Sequence, residues 1–256
     1  MDRPYRTALI TGASSGIGRA LALHLASQGV RVFAAARRLE ALEALRDEAQ
    51  GLSAAIVPVV LDVTAAQEAR EQILELDKQS GGIDCVVANA GVGLRSSARD
   101  LDWDSVRKTI EVNVTGAAAT LSAVLPRMVS RGHGRLVGIS SLSAFVPIPQ
   151  NAAYCGSKAF LSAFLEGLRL DLEGTGVGVT VVHPGFVETE LTSRSKHSRP
   201  LIMKAQEAAA LIGEAIFNGQ AELSFPWQLS LAARAGRLVP PGLQARALRW
   251  LRPQRS

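Results

Sequence analysis

Tyr154 and Lys158 stand four residues apart in a chain with only two tyrosines among 256 residues. A phenol titrates near ~10, which makes it a poor proton donor or acceptor at neutral pH. An ammonium one helical turn away lies on the same face, stabilises the phenolate and lowers that value. The pair is therefore a candidate general acid or base, although taken alone it also fits an exposed helical pair. A second group lies in "TGASSGIG" at 11–18, with Gly12, Ser14, Ser15, Gly16 and Gly18. Its spacing matches neither G-x-G-x-x-G nor a P-loop. The physical demand is similar: a tight turn after a strand, close approach of backbone to a pyrophosphate, and a helix N-terminus aimed at the anion. A glycine-rich turn with no ligand is the plainer alternative.

The next strand-like run ends in Arg37 and Arg38. Dinucleotide folds place an acid there for the ribose hydroxyls of NAD, or an arginine for the 2′-phosphate of NADP. Two guanidinium groups favour NADP(H) over NAD(H) by charge and by bidentate geometry. Glu40, the competing acid, suits the first turn of the following helix. A solvated helix start is the alternative reading of the arginines.

The elements that must position these groups follow from the pattern of apolar residues. Seven runs read as strands, at 7–11, 31–36, 55–61, 85–90, 134–140, 178–183 and 221–225. Helical periodicity falls near 16–28, 39–50, 65–79, 104–130, 152–174 and 205–218. Strands that are apolar throughout, rather than alternating, imply a sheet covered on both faces. The expected fold is α/β, a Rossmann-like doubly wound, seven-stranded mostly parallel sheet with helices on both faces. Residues 1–225 are expected to form one catalytic domain. Residues 226–256 read as a basic amphipathic helical extension packed on or beside it, with Leu231, Ala235 and Leu238 on one helical face and Leu243, Ala247 and Trp250 on another. Pro240 and Pro241 separate the two short helices.

Composition narrows the classes of function. With 47% hydrophobic residues the chain can bury a large core. No apolar run approaches the length of a membrane span and the N-terminus does not resemble a signal peptide, so a cytoplasmic protein is expected. Two cysteines are too few for a disulfide framework, and Cys85 reads as a small core residue. The net charge of +5 is concentrated at the C-terminus, where six arginines follow Leu223 without an acid; the remainder carries −1. A general nucleic-acid surface is therefore not expected. The four histidines are spread along the chain, so no metal site is expected, and His133 and His197 read as surface residues.

With "TGASSGIG", "NAG" at 89–91, "NVTG" at 113–116, "SS" at 140–141, "YCGSK" at 154–158 and "PGFVET" at 184–189 in this order, the chain resembles the short-chain dehydrogenase/reductase family over about residues 7–192. The resemblance implies a catalytic tetrad of Asn113, Ser141, Tyr154 and Lys158. Ser141 is preferred to Ser140 and Ser143 because it precedes Tyr154 by thirteen residues, the usual family separation. Ser141 would bond the substrate carbonyl and stabilise its developing charge. Lys158 would also bind the nicotinamide ribose, and Asn113 would hold a water connecting Lys158 to solvent. The family further implies that Asp62 and Val63 flank the adenine, and that Asn89, Ala90 and Gly91 close the adenosine ribose side. Ile17, Pro184, Gly185, Val187 and Thr189 would meet the nicotinamide, with hydride transfer from its pro-S face.

Candidate substrate-binding residues near these motifs are Ser141, Leu142, Phe145, Val146, Tyr154, Phe186 and Leu191, with Cys155 beside them. The segment 190–204 has the polarity and position of a mobile lid. The expected function is NADPH-dependent reduction of an apolar or amphiphilic ketone, aldehyde or 3-oxo compound to an alcohol. An NADP(H)-binding sensor on the same fold is the alternative. By family analogy a homodimer or homotetramer is expected, formed through the helices near 104–130 and 152–174. The basic tail is read as capping the pocket or docking on a neighbouring subunit, with weak association with the inner face of an anionic membrane as the alternative.

Overall fold

The computed structural model describes residues 4–193, 201–240 and 242–243. The apolar runs form β1 Thr7–Thr11, β2 Arg31–Ala36, β3 Ile56–Val60, β4 Cys85–Ala88, β5 Gly134–Ile139, β6 Val177–Pro184 and β7 Glu222–Phe225. Around them lie α1 Gly16–Ser27, α2 Leu39–Glu48, α3 Ala66–Gln79, α4 Trp103–Ile110, α5 Ala117–Ser122, α6 Leu125–Arg131, α7 Ala152–Asp171, α8 Glu190–Ser193, α9 Ala205–Phe217 and α10 Trp227–Leu238. All six neighbouring pairs are parallel, in the order β3-β2-β1-β4-β5-β6-β7. The sheet is Rossmann-like and doubly wound, parallel throughout rather than mostly so.

Alternate strand residues serve opposite core layers. Ala8, Ile10, Val32 and Ala34 pack with Leu21 of α1, Leu42 of α2 and Ile212 of α9. Leu9, Phe33, Ala35 and Val86 face the other layer, with Ile73 of α3, Leu121 of α5 and Leu161 of α7. Because both faces are covered, both sets are apolar, which explains the absence of polar alternation. From β1 the chain winds outward to β3, then returns to β4 beside β1 and winds outward to β7. The loops leaving the carboxyl ends of β1 and β4 therefore diverge and open a crevice between them.

The helix expected over 104–130 is broken. After α4 the backbone widens into a π-helical stretch, Glu111–Gly116, before α5. Gly116 permits this path, since a Cβ there would lie 2.8 Å from the carbonyl oxygen of Val63. Pro126 has no N–H to offer the Ser122 carbonyl, and α5 ends at Ser122. Asp102 caps α4, accepting from the N–H groups of Asp104 (3.2 Å) and Ser105 (3.0 Å).

Of the segment 190–204, α8 and residues 201–204 are described. Met203 is tied to the loop after β6, donating to Phe186 O (3.0 Å) and accepting from Glu188 N–H (2.9 Å). In the tail, α10 turns its apolar residues outward: Trp227, Leu231 and Leu238 are exposed while Ser230 is buried. His197, the second tail helix with Ala247 and Trp250, and the arginines beyond Arg237 lie outside the described residues. No helix among the described residues is long and apolar enough to cross a membrane.

Candidate active site

The β1–α1 turn is built around two glycines in left-handed backbone, Gly12 (φ 68°) and Gly16 (φ 56°). A Cβ on Gly12 would come 2.8 Å from the Cα of Ala90, and one on Gly16 would come 2.9 Å from Thr189 Cγ2. Ser15, at the N-cap of α1, makes no side-chain capping bond and the first turn carries no acid, so its N–H donors and dipole suit an anion. Gly18 differs from its expected role. It does not reach the crevice; a Cβ there would lie 2.6 Å from Gly12 O and would strike the Asn89 amide. Its smallness lets Asn89 Nδ2 donate to Thr11 O (2.9 Å) and Gly12 O (3.2 Å). Thr11, which sequence reasoning passed over, ties the two strand ends together: its Oγ1 accepts from Asn89 N–H and Ala90 N–H, each at 3.2 Å.

A crevice of about 520 Å³ runs across the carboxyl ends of the strands. Gly12, Ser14, Ser15, Gly16 and Ile17 line it from the first turn, Arg37 and Arg38 from the end of β2, and Asp62 and Val63 from the end of β3. Asn89, Ala90 and Gly91 follow β4, while Ser141, Tyr154, Lys158, Pro184, Gly185, Val187 and Thr189 form the rest of the expected wall. Leu94, Lys108, Glu190 and Thr192 also line it, and no motif marked them. Arg38 Nη2 donates to Ser14 Oγ (3.2 Å) and lies 3.4 Å from Glu190 Oε2, while Arg37 lies 4.0 Å from Asp62. Burial alone would raise the Asp62 carboxyl, but hydrogen bonds from Thr64 and the Arg37 charge together hold it below its ordinary value.

The substrate side departs from expectation. Leu142, Phe145, Val146 and Phe186 do not line this crevice. Leu142 is buried against Gly185. The Phe145 ring packs against both the His183 ring and the Arg234 guanidinium, each 4.6 Å from its centre. Val146 faces Gly236 of α10, and the backbone of Phe186 is engaged by Met203. Cys155 is buried, with Sγ accepting from Ile148 N–H at 3.4 Å. The side chain of Leu191 lies outside the described residues. The reason is the single 3-10 turn Leu142–Ala144, which follows Ser141 and carries the chain away from the crevice toward α10.

Near Tyr154 the polar groups are closely organised. Lys158 is buried and its Nζ donates to Ile139 O at 2.7 Å; burial pulls the ammonium down from 10.5 to about 8. Nζ stands 5.7 Å from the centre of the Tyr154 ring. The expectation that Lys158 lowers the phenol is not met here. Burial around the hydroxyl pushes Tyr154 above its ordinary value, and the opposing influence is its hydrogen bond with Ser141. Ser140 is turned inward, donating to the backbone carbonyl of Lys158 at 2.9 Å. Asn113, buried in the π-helical stretch, uses its amide as a clamp: Oδ1 accepts from Val92 N–H (2.8 Å), and Nδ2 donates to Val92 O (2.9 Å) and Ser157 Oγ (3.0 Å). Ser157 in turn donates to the Tyr154 carbonyl at 2.7 Å. The side chain of Asn113 thus holds the loop after Gly91 against α7. A π-helical stretch at such a point is a frequent companion of functional sites.

A doubly wound parallel sheet with this crevice over its carboxyl edge is a nucleotide-binding type of fold. Residues 6–200 match the short chain dehydrogenase family, and the chain belongs to it. It is 56% identical over 251 residues to an uncharacterized oxidoreductase of Myxococcus xanthus, covering 98% of this chain and 99% of that protein. A short-chain dehydrogenase of Sphingobium yanoikuyae, solved in complex with NADPH, has a TM-score of 0.81 at 26% identity, covering 98% of each chain. A short chain dehydrogenase/reductase of Burkholderia phymatum, solved in complex with NAD, has a TM-score of 0.83 at 22% identity, covering 100% of this chain and 98% of that one, a likeness of fold.

Proposed function

We propose that this oxidoreductase interconverts a carbonyl and an alcohol with NADP(H), chiefly as a reductase of an apolar or amphiphilic ketone, aldehyde or 3-oxo compound. The observation that carries this reading is a single crevice lined by Ser141, Tyr154 and Lys158 together with the glycine turn and Arg37/Arg38. The bound dinucleotide would supply the hydride. The glycine cradle fits it, because side chains at Gly12 and Gly16 would meet Ala90 and Thr189. The first turn of α1 would hold the pyrophosphate, with Gly18 supporting it from behind. Asp62 and Val63 would flank the adenine, Asn89 to Gly91 the adenosine ribose, and Ile17, Pro184, Gly185, Val187 and Thr189 the nicotinamide. Arg37 and Arg38, both largely exposed, would take the 2′-phosphate.

Tyr154 would act as the general acid, the burial that weakens it as a proton donor being opposed by its hydrogen bond with Ser141. In this role it donates to the substrate oxygen while Ser141 bonds the same atom. Lys158, still largely ammonium at neutral pH, would bind the nicotinamide ribose hydroxyls beside Tyr154. Asn113 and Ser157 hold the backbone that carries these groups. Residues 1–225 would form the catalytic domain and 226–256 an extension packed on it. The exposed Ile110 and Phe160 support pairing of copies through α4 and α7.

NADPH and NADH consumption across a panel of ketones, aldehydes and 3-oxoacyl compounds tests the reading. Turnover preferring NADPH and lost in Tyr154→Phe is expected. Activity untouched by that substitution would overturn it, and NADPH binding without turnover would favour the sensor.

A further inference from the structure

Behind Ser141 lies a set of contacts that reaches the C-terminal helix. Ser141 is the N-cap and Phe145 the C-cap of the 3-10 turn Leu142–Ala144. Ser141 O accepts from Ala144 N–H (3.0 Å), Leu142 O from Phe145 N–H (3.1 Å), and Ser141 Oγ from Ser143 N–H (3.2 Å). The placement of Phe145 is therefore tied to that of Ser141 across one rigid turn.

Phe145 packs against the His183 ring of β6 and the Arg234 guanidinium of α10, which meet at Glu222 Oε1 beside it. Arg234 is aimed by an ion pair with Glu222 of β7 and by a bond to Ser224 Oγ at 3.4 Å. His183 Nε2 lies 3.0 Å from Ser162 Oγ, and Ser162 lies 2.8 Å from Ser140, whose hydroxyl bonds the Lys158 carbonyl. Its Nδ1 is 3.2 Å from Glu222 Oε1 in poor hydrogen-bonding alignment. Burial lowers this imidazole to about 4, so it is neutral at physiological pH and does not repel the guanidinium that shares Glu222 Oε1 with it. The Arg234 and Glu222 side chains are 45% and 37% exposed, a setting in which an ion pair adds little to stability. What the pair does add is direction, fixing a cation over one aromatic face.

We propose that Arg234 is a positioning residue: by packing over Phe145, beside His183, it fixes the turn that presents the Ser141 hydroxyl, so that α10 tunes the carbonyl-binding end of the crevice. What Ser141 presents to rests on the reductase reading; the positioning itself does not.

Arg234→Ala, Arg234→Lys and Phe145→Leu test it, with hydrogen exchange, dinucleotide affinity and carbonyl turnover measured on the full chain. Arg234→Ala is expected to speed exchange of the amides at 143–145 and leave the turn at 11–18 unchanged. It should lower kcat by ~10-fold, as small misplacements of catalytic groups do, with the Kd for NADPH unaltered. Arg234→Lys, which keeps a cation over the ring, should restore part of kcat. In a Phe145→Leu background Arg234→Ala should have no further effect, because both act through one contact. Unchanged exchange at 143–145, unchanged kcat despite faster exchange, or additive losses in the double variant would each overturn the proposal. If the wild-type chain reduces no carbonyl, the reductase reading fails separately. Exchange at 143–145 then decides the positioning alone: faster exchange in Arg234→Ala upholds it, and unchanged exchange removes it.

Discussion

Lys158 and Asp77 are both buried, yet their charges are compensated in opposite ways. Asp77, at the end of α3 and the edge of the sheet away from the crevice, accepts from Ile83 N–H at 2.7 Å and pairs with Arg127 and Arg131. Burial would raise its carboxyl, but these partners outweigh it and hold the group below its ordinary value. Lys158, at the crevice, is given a backbone carbonyl and no carboxylate among the described ion pairs, and its ammonium is pulled down to about 8. A charge that holds structure is neutralised by its neighbours, whereas one poised to act is left partly uncompensated, at a cost in stability.

The sharpest test of this contrast is activity. Tyr154→Phe and Lys158→Met should each cut carbonyl reduction by roughly 10²–10⁴-fold, the usual range for removing acid–base function. NADPH oxidation followed by absorbance reads this, and Tyr154→Phe should keep most of its dinucleotide affinity. Asp77→Ala should behave in the opposite manner. Losing the bond to Ile83 N–H and two ion pairs whose guanidinium groups are part-exposed is expected to cost about 1–3 kcal/mol of stability, with little change in turnover per folded molecule. Denaturant melts combined with active-site titration separate the two effects.

Lys158→Met should also stabilise the fold. A shift from 10.5 to about 8 corresponds to a charge-burial cost of about 3 kcal/mol, partly offset by the lost bond to Ile139 O. The pH dependence has a definite sign. Between about 8 and 10.5 the unfolded chain binds the Lys158 proton while the folded chain has released it, so wild-type stability rises with pH through this window. The advantage of the variant is therefore full below pH 8 and fades toward 10.5. Melting both proteins from pH 7 to 10.5 checks this, and a constant difference in Tm would count against a buried ammonium at Lys158.

The parts legible in the sequence were those encoded by short spacings. Tyr154 and Lys158 share a helical face by arithmetic, and the glycine turn follows from strand, turn and helix in immediate succession. Arg37 and Arg38 reach the crevice because they end the strand beside β1. Long-range pairings were not legible: the amide of Asn113 grips Ser157, 44 residues away, and Arg234 reaches Phe145 from a separate helix. Nearness in sequence also misled, since Leu142, Phe145 and Val146 follow Ser141 directly but a 3-10 turn carries them out of the crevice. Pro126 did signal the break in the helix over 104–130, although apolar periodicity masked it.

A smaller effect sharpens the comparison at the other end of the crevice, where charge is exposed rather than buried. The Arg37 and Arg38 side chains are 63% and 55% exposed, and each stands near an acid, Asp62 or Glu190. Solvent and these acids weaken each guanidinium, so neither should act on a 2′-phosphate with the force of a buried cation. A single Arg37→Ala or Arg38→Ala substitution should raise the KM for NADPH by about ten-fold, as loss of one charged hydrogen bond does, and leave that for NADH nearly unchanged. The effect should shrink with added salt, because exposed charges are screened within a Debye length of about 8 Å at physiological ionic strength. Equal losses for both dinucleotides would place these arginines on the pyrophosphate or in the helix start instead. Losses that persist in high salt would mean that the bound dinucleotide buries them, bringing this end of the crevice closer to the state of Lys158.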